Sequence, residues 1–173
     1  MGERTVERTG DRQLSGKRTF FFCLAISAIV FAADQFTKYL VKSFIPVGGA
    51  VPDMASFAKL YHTLNDGVAF SMFQGHRVPL SVMQSLLVAV IIAVMFMAYR
   101  RVGKYGRPLV AMAAFSLMLG GGLGNLCDRL ATGLVTDFVS IGSFAVFNVA
   151  DACLTTGCGL LILYALRYAV HEK

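Results

Sequence analysis

Read for apolar and polar positions, the chain resolves into four long apolar runs separated by polar stretches, at residues 19–44, 79–99, 108–127 and 149–168. A bilayer core of about 30 Å takes roughly 20 apolar residues in a helix, so each run predicts one transmembrane helix. The first run is the least uniform, with Asp34, Lys38 and Lys42 in its outer half. Between the first two runs, residues 45–78 hold Pro46, Gly48, Gly49 and Pro52 and then a partly alternating stretch at 57–64, which predicts short strands or a hairpin on the membrane surface. Within residues 128–148, the apolar segment 134–147 is too short to span and is expected to lie along the interface. Residues 1–18 alternate charges of both signs with Gly, Ser and Thr and read as a mobile tail, leaving 19–173 as one four-helix unit.

Composition agrees with a bilayer protein: 56% of the 173 residues are hydrophobic and 15% charged. The formal charge of +6 raises the question of nucleic acid, and its placement answers it. Arg4, Arg8, Arg12, Lys17 and Arg18 precede the first run, and Arg100, Arg101, Lys104 and Arg107 join the second to the third. These sides are expected to be cytoplasmic, with both termini inside and segments 45–78 and 128–148 outside. The basic charge is read as topology, and no nucleic-acid partner is expected. A cleaved signal peptide is disfavoured, because Asp34, Gln35 and Lys38 stand where the cut would fall.

Ionisable groups in or beside a span cost about 2.5 kcal/mol or more at the helix centre, so each invites a functional hypothesis. Asp34, Asp128, Asp137 and Asp151, together with Asn65, Asn125, Asn148 and Arg129, all fall at the outer level of the predicted topology. Several have a purely structural account. Asp34 and Lys38 are spaced for an intrahelical pair. Asn125 follows Gly124 where the third run ends and suits a helix C-terminus. Asn148 stands three residues before Asp151, close to a capping arrangement at the start of the fourth run. Asp137 has no such local account, since no basic residue lies within four positions of it in an apolar segment. If its partner is another carboxylate, the two share a proton, as in aspartic proteases.

Rival chemistry is weak. His62, His76 and His171 lack zinc-binding spacing, and the four cysteines form no metal-ligand pattern and read as small apolar residues. No nucleophile elbow or phosphate loop occurs, and the glycines of 120–124 read as a close-packing face between helices. With no repeat of either sense, a transporter of duplicated halves gains no support.

Five blocks then carry a resemblance: Asp34-Gln35-Phe36-Thr37-Lys38, Asn65-Asp66-Gly67-Val68-Ala69-Phe70-Ser71, the stretch 121–129 ending Asn125-Leu126-Cys127-Asp128-Arg129, Val135-Thr136-Asp137-Phe138 and Phe147-Asn148-Val149-Ala150-Asp151. In order and distribution over four spans they resemble the lipoprotein signal peptidase (signal peptidase II) family. The resemblance implies an all-α membrane protein of four transmembrane helices, a small extracytoplasmic β-cradle and a short interfacial outer helix. It implies catalytic aspartates at Asp137 and Asp151, with Asp34, Lys38, Asn65, Gly67, Asn125, Arg129 and Asn148 lining or supporting the site, and Asp128 serving structure beside Arg129. The implied reaction removes signal peptides from diacylglyceryl-modified prolipoproteins, cutting just before the lipid-modified cysteine. It takes place in the bacterial inner membrane near its extracytoplasmic face, without metal or organic cofactor. A monomer among membrane lipids is expected.

Within the dyad, the helix position of Asp151 suggests the ionised, water-activating role and leaves Asp137 the protonated one. The chain departs from the family pattern where Ala152 stands in place of a common Ser, and in a rather short connection between Asp137 and Asp151. These departures leave room for a silent or substrate-altered paralogue. A small transporter would want carboxylates spread across the membrane, whereas these gather toward one face.

Overall fold

A computed structural model describes residues 3–51, 57–66, 77–101 and 109–171, with side chains at 18–51, 57–66, 80–100 and 109–167. The order of elements is α1 (Glu3–Phe44), β1 (Ala58–Asn65), α2 (Arg77–Arg101), α3 (Leu109–Thr132), β2 (Val135–Ile141) and α4 (Val149–His171). Each helix contains a stretch long and apolar enough to cross a membrane, at residues 18–44, 80–100, 109–132 and 149–167. The protein is a multi-pass membrane protein.

The residues expected as a separate tail instead continue α1 back to Glu3. They hold no proline, and two Glu, four Arg, one Gln and one Lys among residues 1–18 favour a helix, so one nucleated in the apolar run propagates through them despite Gly10 and Gly16. At its other end α1 stops just before Ile45-Pro46, where the proline ring disfavours helical geometry in the preceding residue.

α3 also differs from expectation. It runs five residues past Cys127, and its turn ends at Gly133, whose φ of 76° permits its N–H to bond Arg129 O at 2.9 Å. Asn125, Asp128 and Arg129 are therefore inside a helix, all three buried, and Asn125 is not a C-terminal residue. α3 is the central helix: 56% of its apolar window is buried, against 11 to 28% in the other three. Its glycines allow the approach, with Gly120 against the Ser27 carbonyl and Val30 of α1 and Gly121 against the Ala150 carbonyl of α4. Cys23, Val88, Ile91, Met95, Met112 and Leu119 fill the space between α1, α2 and α3.

At one end of the bundle β1 and β2 pair antiparallel, with Ala58 opposite Ile141 and Asn65 opposite Val135. A bulge between Leu60 and Thr63 holds His62, which is buried and donates from Nδ1 to the Ile45 carbonyl at 2.6 Å. Within the segment 134–147, expected to lie along the interface, residues 135–141 form a strand. Its Val135, Thr136, Val139 and Ile141 are β-branched, and Gly133 and Gly142 bound it. Phe138 packs with Val41 and Ile45 beneath the sheet. The short outer helix has no counterpart among the described residues, and 67–76 lie outside them.

Candidate active site

A helix begins with backbone N–H groups that have no helical partner, and the site is built from what satisfies those of α4. Asn148 is the N-cap. Its Oδ1 accepts from the Asp151 N–H at 2.9 Å, while Asp151 Oδ2 accepts from the Asn148 N–H at 3.2 Å, a reciprocal capping box with an acid in the third position. The Ala150 N–H donates to Asp34 Oδ1 of α1 at 2.9 Å.

Capping leaves the Asn148 amide nitrogen for other work. Nδ2 donates to Asp137 Oδ1 at 2.7 Å, lies 3.0 Å from Asn125 Oδ1 and reaches the Thr136 carbonyl at 3.3 Å. One residue therefore bonds both Asp137 and Asp151. The other oxygen of Asp137 accepts from Asn65 Nδ2 at 2.8 Å. Strand register arranges that contact: Asn65 faces Val135, so Asp137 is its diagonal neighbour two residues on. Asp137 is 2% exposed, and burial lifts its carboxyl to about 7. The hydrogen bonds from Asn65 and Asn148 and the charge of Lys38 oppose that rise, and the neighbouring Asp151 adds to it.

Beneath the pair lies a buried cation. Lys38 Nζ sits 2.8 Å from Asp34 Oδ2, 3.2 Å from Asp128 Oδ2 and 2.9 Å from Asn125 Oδ1. The ammonium has only donors, so it fixes the Asn125 amide with oxygen toward itself and nitrogen toward Asp151, where Nδ2 donates to Oδ1 at 2.8 Å. Asp128 does more than accompany Arg129. It also meets Lys42 at 3.4 Å and accepts from the Thr136 N–H at 3.1 Å, tying α1, α3 and β2 together.

Asp34, Lys38, Asn65, Asn125, Arg129, Asn148, Asp137 and Asp151 thus gather at one end of the bundle. Gly67 lies outside the described residues. Two further participants join the cluster, one of them an uncharged side chain that a reading of charges at the expected level passes over. Gln84 of α2 accepts from Arg129 Nη1 at 3.3 Å, and Lys42 shares Asp128. A lone amide in an apolar run was the available signal for Gln84. Among the described residues no group of three His, Cys, Asp or Glu side chains stands ready to hold a metal ion.

A bundle of four membrane-length helices, with two carboxylates joined by one asparagine at its end, defines a multi-pass membrane protein with the groups for acid–base chemistry. Comparison with known proteins takes the class further. Residues 26–167 match the family described as Signal peptidase (SPase) II, and the chain belongs to that family of proteases. It is 38% identical over 133 residues to a lipoprotein signal peptidase of Dehalococcoides mccartyi strain BAV1, covering 76% of this chain and 81% of that one. With the lipoprotein signal peptidase of Shouchella clausii it shares 36% identity over 149 residues, 86% of this chain and 95% of the relative. A bacterial membrane enzyme solved by the in meso method at 2.3 Å superposes with a TM-score of 0.76 at 27% identity, covering 88% of this chain and 92% of that one. A second, solved at 1.9 Å, gives 0.65 at 28% identity, covering 84% and 92%.

Proposed function

We propose that this protease is an intramembrane aspartic endopeptidase that removes signal peptides from diacylglyceryl-modified prolipoproteins, cutting just before the lipid-modified cysteine. The observation that carries the reading is Asn148, which bonds Asp137 through its side chain and Asp151 through its backbone and so holds two carboxylates as one unit. The names of the relatives, lipoprotein signal peptidases, support the substrate class.

In the proposed reaction the pair works with one proton between its members. Asp137, the more deeply buried, holds it. Asp151 lies in the first turn of α4, where the positive end of the helix favours an anion, and takes a proton from water as that water attacks the scissile carbonyl. Asp137 gives its proton to the carbonyl oxygen, forming a gem-diol. When the diol collapses, the C–N bond breaks and a proton passes to the departing amine, the nitrogen of the lipid-modified cysteine. The products are a signal peptide ending in a carboxylate and a lipoprotein beginning with that cysteine. Neither metal nor organic cofactor enters any step. The distribution of basic residues supports an inner-membrane topology with both termini cytoplasmic and the site at the extracytoplasmic side.

The test is cleavage of a diacylglyceryl-modified prolipoprotein by the purified protein in detergent, beside Asp137→Asn and Asp151→Asn. Wild-type cleavage with both variants folded and inactive is expected. Turnover surviving either substitution would sink the dyad, and an inactive wild type would favour a silent relative.

A further inference from the structure

α2 reaches the site through a single amide. Gln84 is 8% exposed and lies one turn before Val88, on the face of α2 that packs into the apolar core. A buried amide at such a position costs stability unless both of its ends are bonded, and an aliphatic side chain would avoid that cost. Both ends are bonded here. Nε2 donates to the Gly122 carbonyl of α3 at 3.2 Å, and Oε1 accepts from Arg129 Nη1 at 3.3 Å. Gly122 lies where α2 packs on α3: a Cβ there would stand 3.2 Å from a Val88 methyl and in ordinary contact, 3.9 Å, with Gln84 Nε2.

The guanidinium held in this way lies within electrostatic reach of Asp151, Asp137 and Asp128, both members of the proposed dyad included. An arginine side chain is long, and its charge acts where its head is held. We infer that Gln84 is a positioning residue, whose carbonyl oxygen anchors the Arg129 guanidinium on the α2 side so that its charge faces the Asp137–Asp151 pair and the approaching peptide carbonyl. The inference rests on the peptidase reading. It assigns α2 a part in the chemistry although no residue of α2 touches either carboxylate among the described contacts.

The experiment compares the pH dependence of kcat and KM for wild type, Gln84→Met and Gln84→Glu with a diacylglyceryl-modified prolipopeptide in detergent. Met fills the site but bonds neither partner. Glu keeps an oxygen for Arg129, loses the bond to Gly122 and offsets the arginine charge. Gln84→Met is expected to lower kcat about tenfold with a smaller change in KM, as loss of a hydrogen bond to a charged group would. Gln84→Glu is expected to lose more at acid than at alkaline pH, moving the acid limb up by about half a pH unit or more. Equal losses in both variants at every pH would place the role of Gln84 in the Gly122 contact and overturn the inference, as would wild-type kinetics in Gln84→Met. If Gln84→Met does not fold, an unmoved acid limb in Gln84→Glu overturns it alone. Wild-type turnover beside unaltered variants defeats only this inference, whereas an inactive wild type defeats the peptidase reading as well.

Discussion

Among the described residues, replacing Lys38 by Met removes the cation paired with Asp34 and the buried one of the two lysines paired with Asp128, the other being the exposed Lys42. Lys38 is 1% exposed and Asp34 0%. Methionine fills similar volume in an apolar helix, so the change isolates charge from packing. Breaking a buried ion pair by deleting one partner costs about 3–5 kcal/mol, because the remaining charge stays in a poor solvent. The cost does not double, since Asp128 keeps Lys42 at 3.4 Å and the Thr136 N–H at 3.1 Å. At roughly 2–4 °C per kcal/mol for a chain of this size, the midpoint of thermal unfolding should fall by about 10 °C. Activity should fall as well, because the Asn125 amide loses the group that orients it toward Asp151. The assay is thermal unfolding in detergent together with prolipoprotein cleavage. Asp34→Asn added to Lys38→Met should restore part of the midpoint by removing the orphaned carboxylate. A single variant melting within about 2 °C of wild type would refute the account of a buried, mutually dependent cluster.

Two further outcomes follow from the same geometry. Gly121→Ala places a Cβ 2.5 Å from the Ala150 carbonyl, whereas Gly122→Ala meets nothing closer than a Val88 methyl at 3.2 Å. The first should cost about 3 kcal/mol or more and the second under about 1, and equal unfolding midpoints would contradict the close α3–α4 packing. For Asp137, a carboxyl raised from 3.8 to about 7 holds its proton more tightly in the folded state. Its contribution to stability is complete below about pH 3.8 and lost as pH rises through 7, amounting to roughly 4 kcal/mol at most. Wild type should therefore lose stability between pH 4 and pH 8 by a component missing from Asp137→Asn, and parallel pH profiles of the two midpoints would disprove it.

Much of this arrangement is legible in the chain. The spans follow from apolar length, and the pairing of Asp34 with Lys38 and the capping box of Asn148 with Asp151 follow from spacings of four and three residues. What escaped the sequence depends on partners far away. Asp128 and Arg129 looked like the polar end of a span, yet they continue α3 because Lys38, Lys42 and Gln84 meet them from other helices. The seven residues of β2 are as apolar as an interfacial segment, and composition alone does not separate a short strand from a surface helix. The early residues of α1 are polar enough to stand alone as a tail, and only their continuity with the apolar run carries the helix through them. Spacing had left open whether Asn148 caps α4 or serves the carboxylates. In the structure it caps the helix and bonds both carboxylates at once.

The Asp34–Lys38 pair also bears on how the chain enters the bilayer. The first span leaves the ribosome before the rest, and Asn125, which later shares the ammonium, lies 87 residues further along. Until then neither charge has a neighbour on another helix, and an isolated Asp or Lys at the middle of an inserting segment is penalised by about 2.5–3.5 kcal/mol. Set one turn apart on the same helix, the two neutralise each other as soon as that helix forms. The first span thus carries its own counter-ion through insertion, and the later helices close around a pair already made.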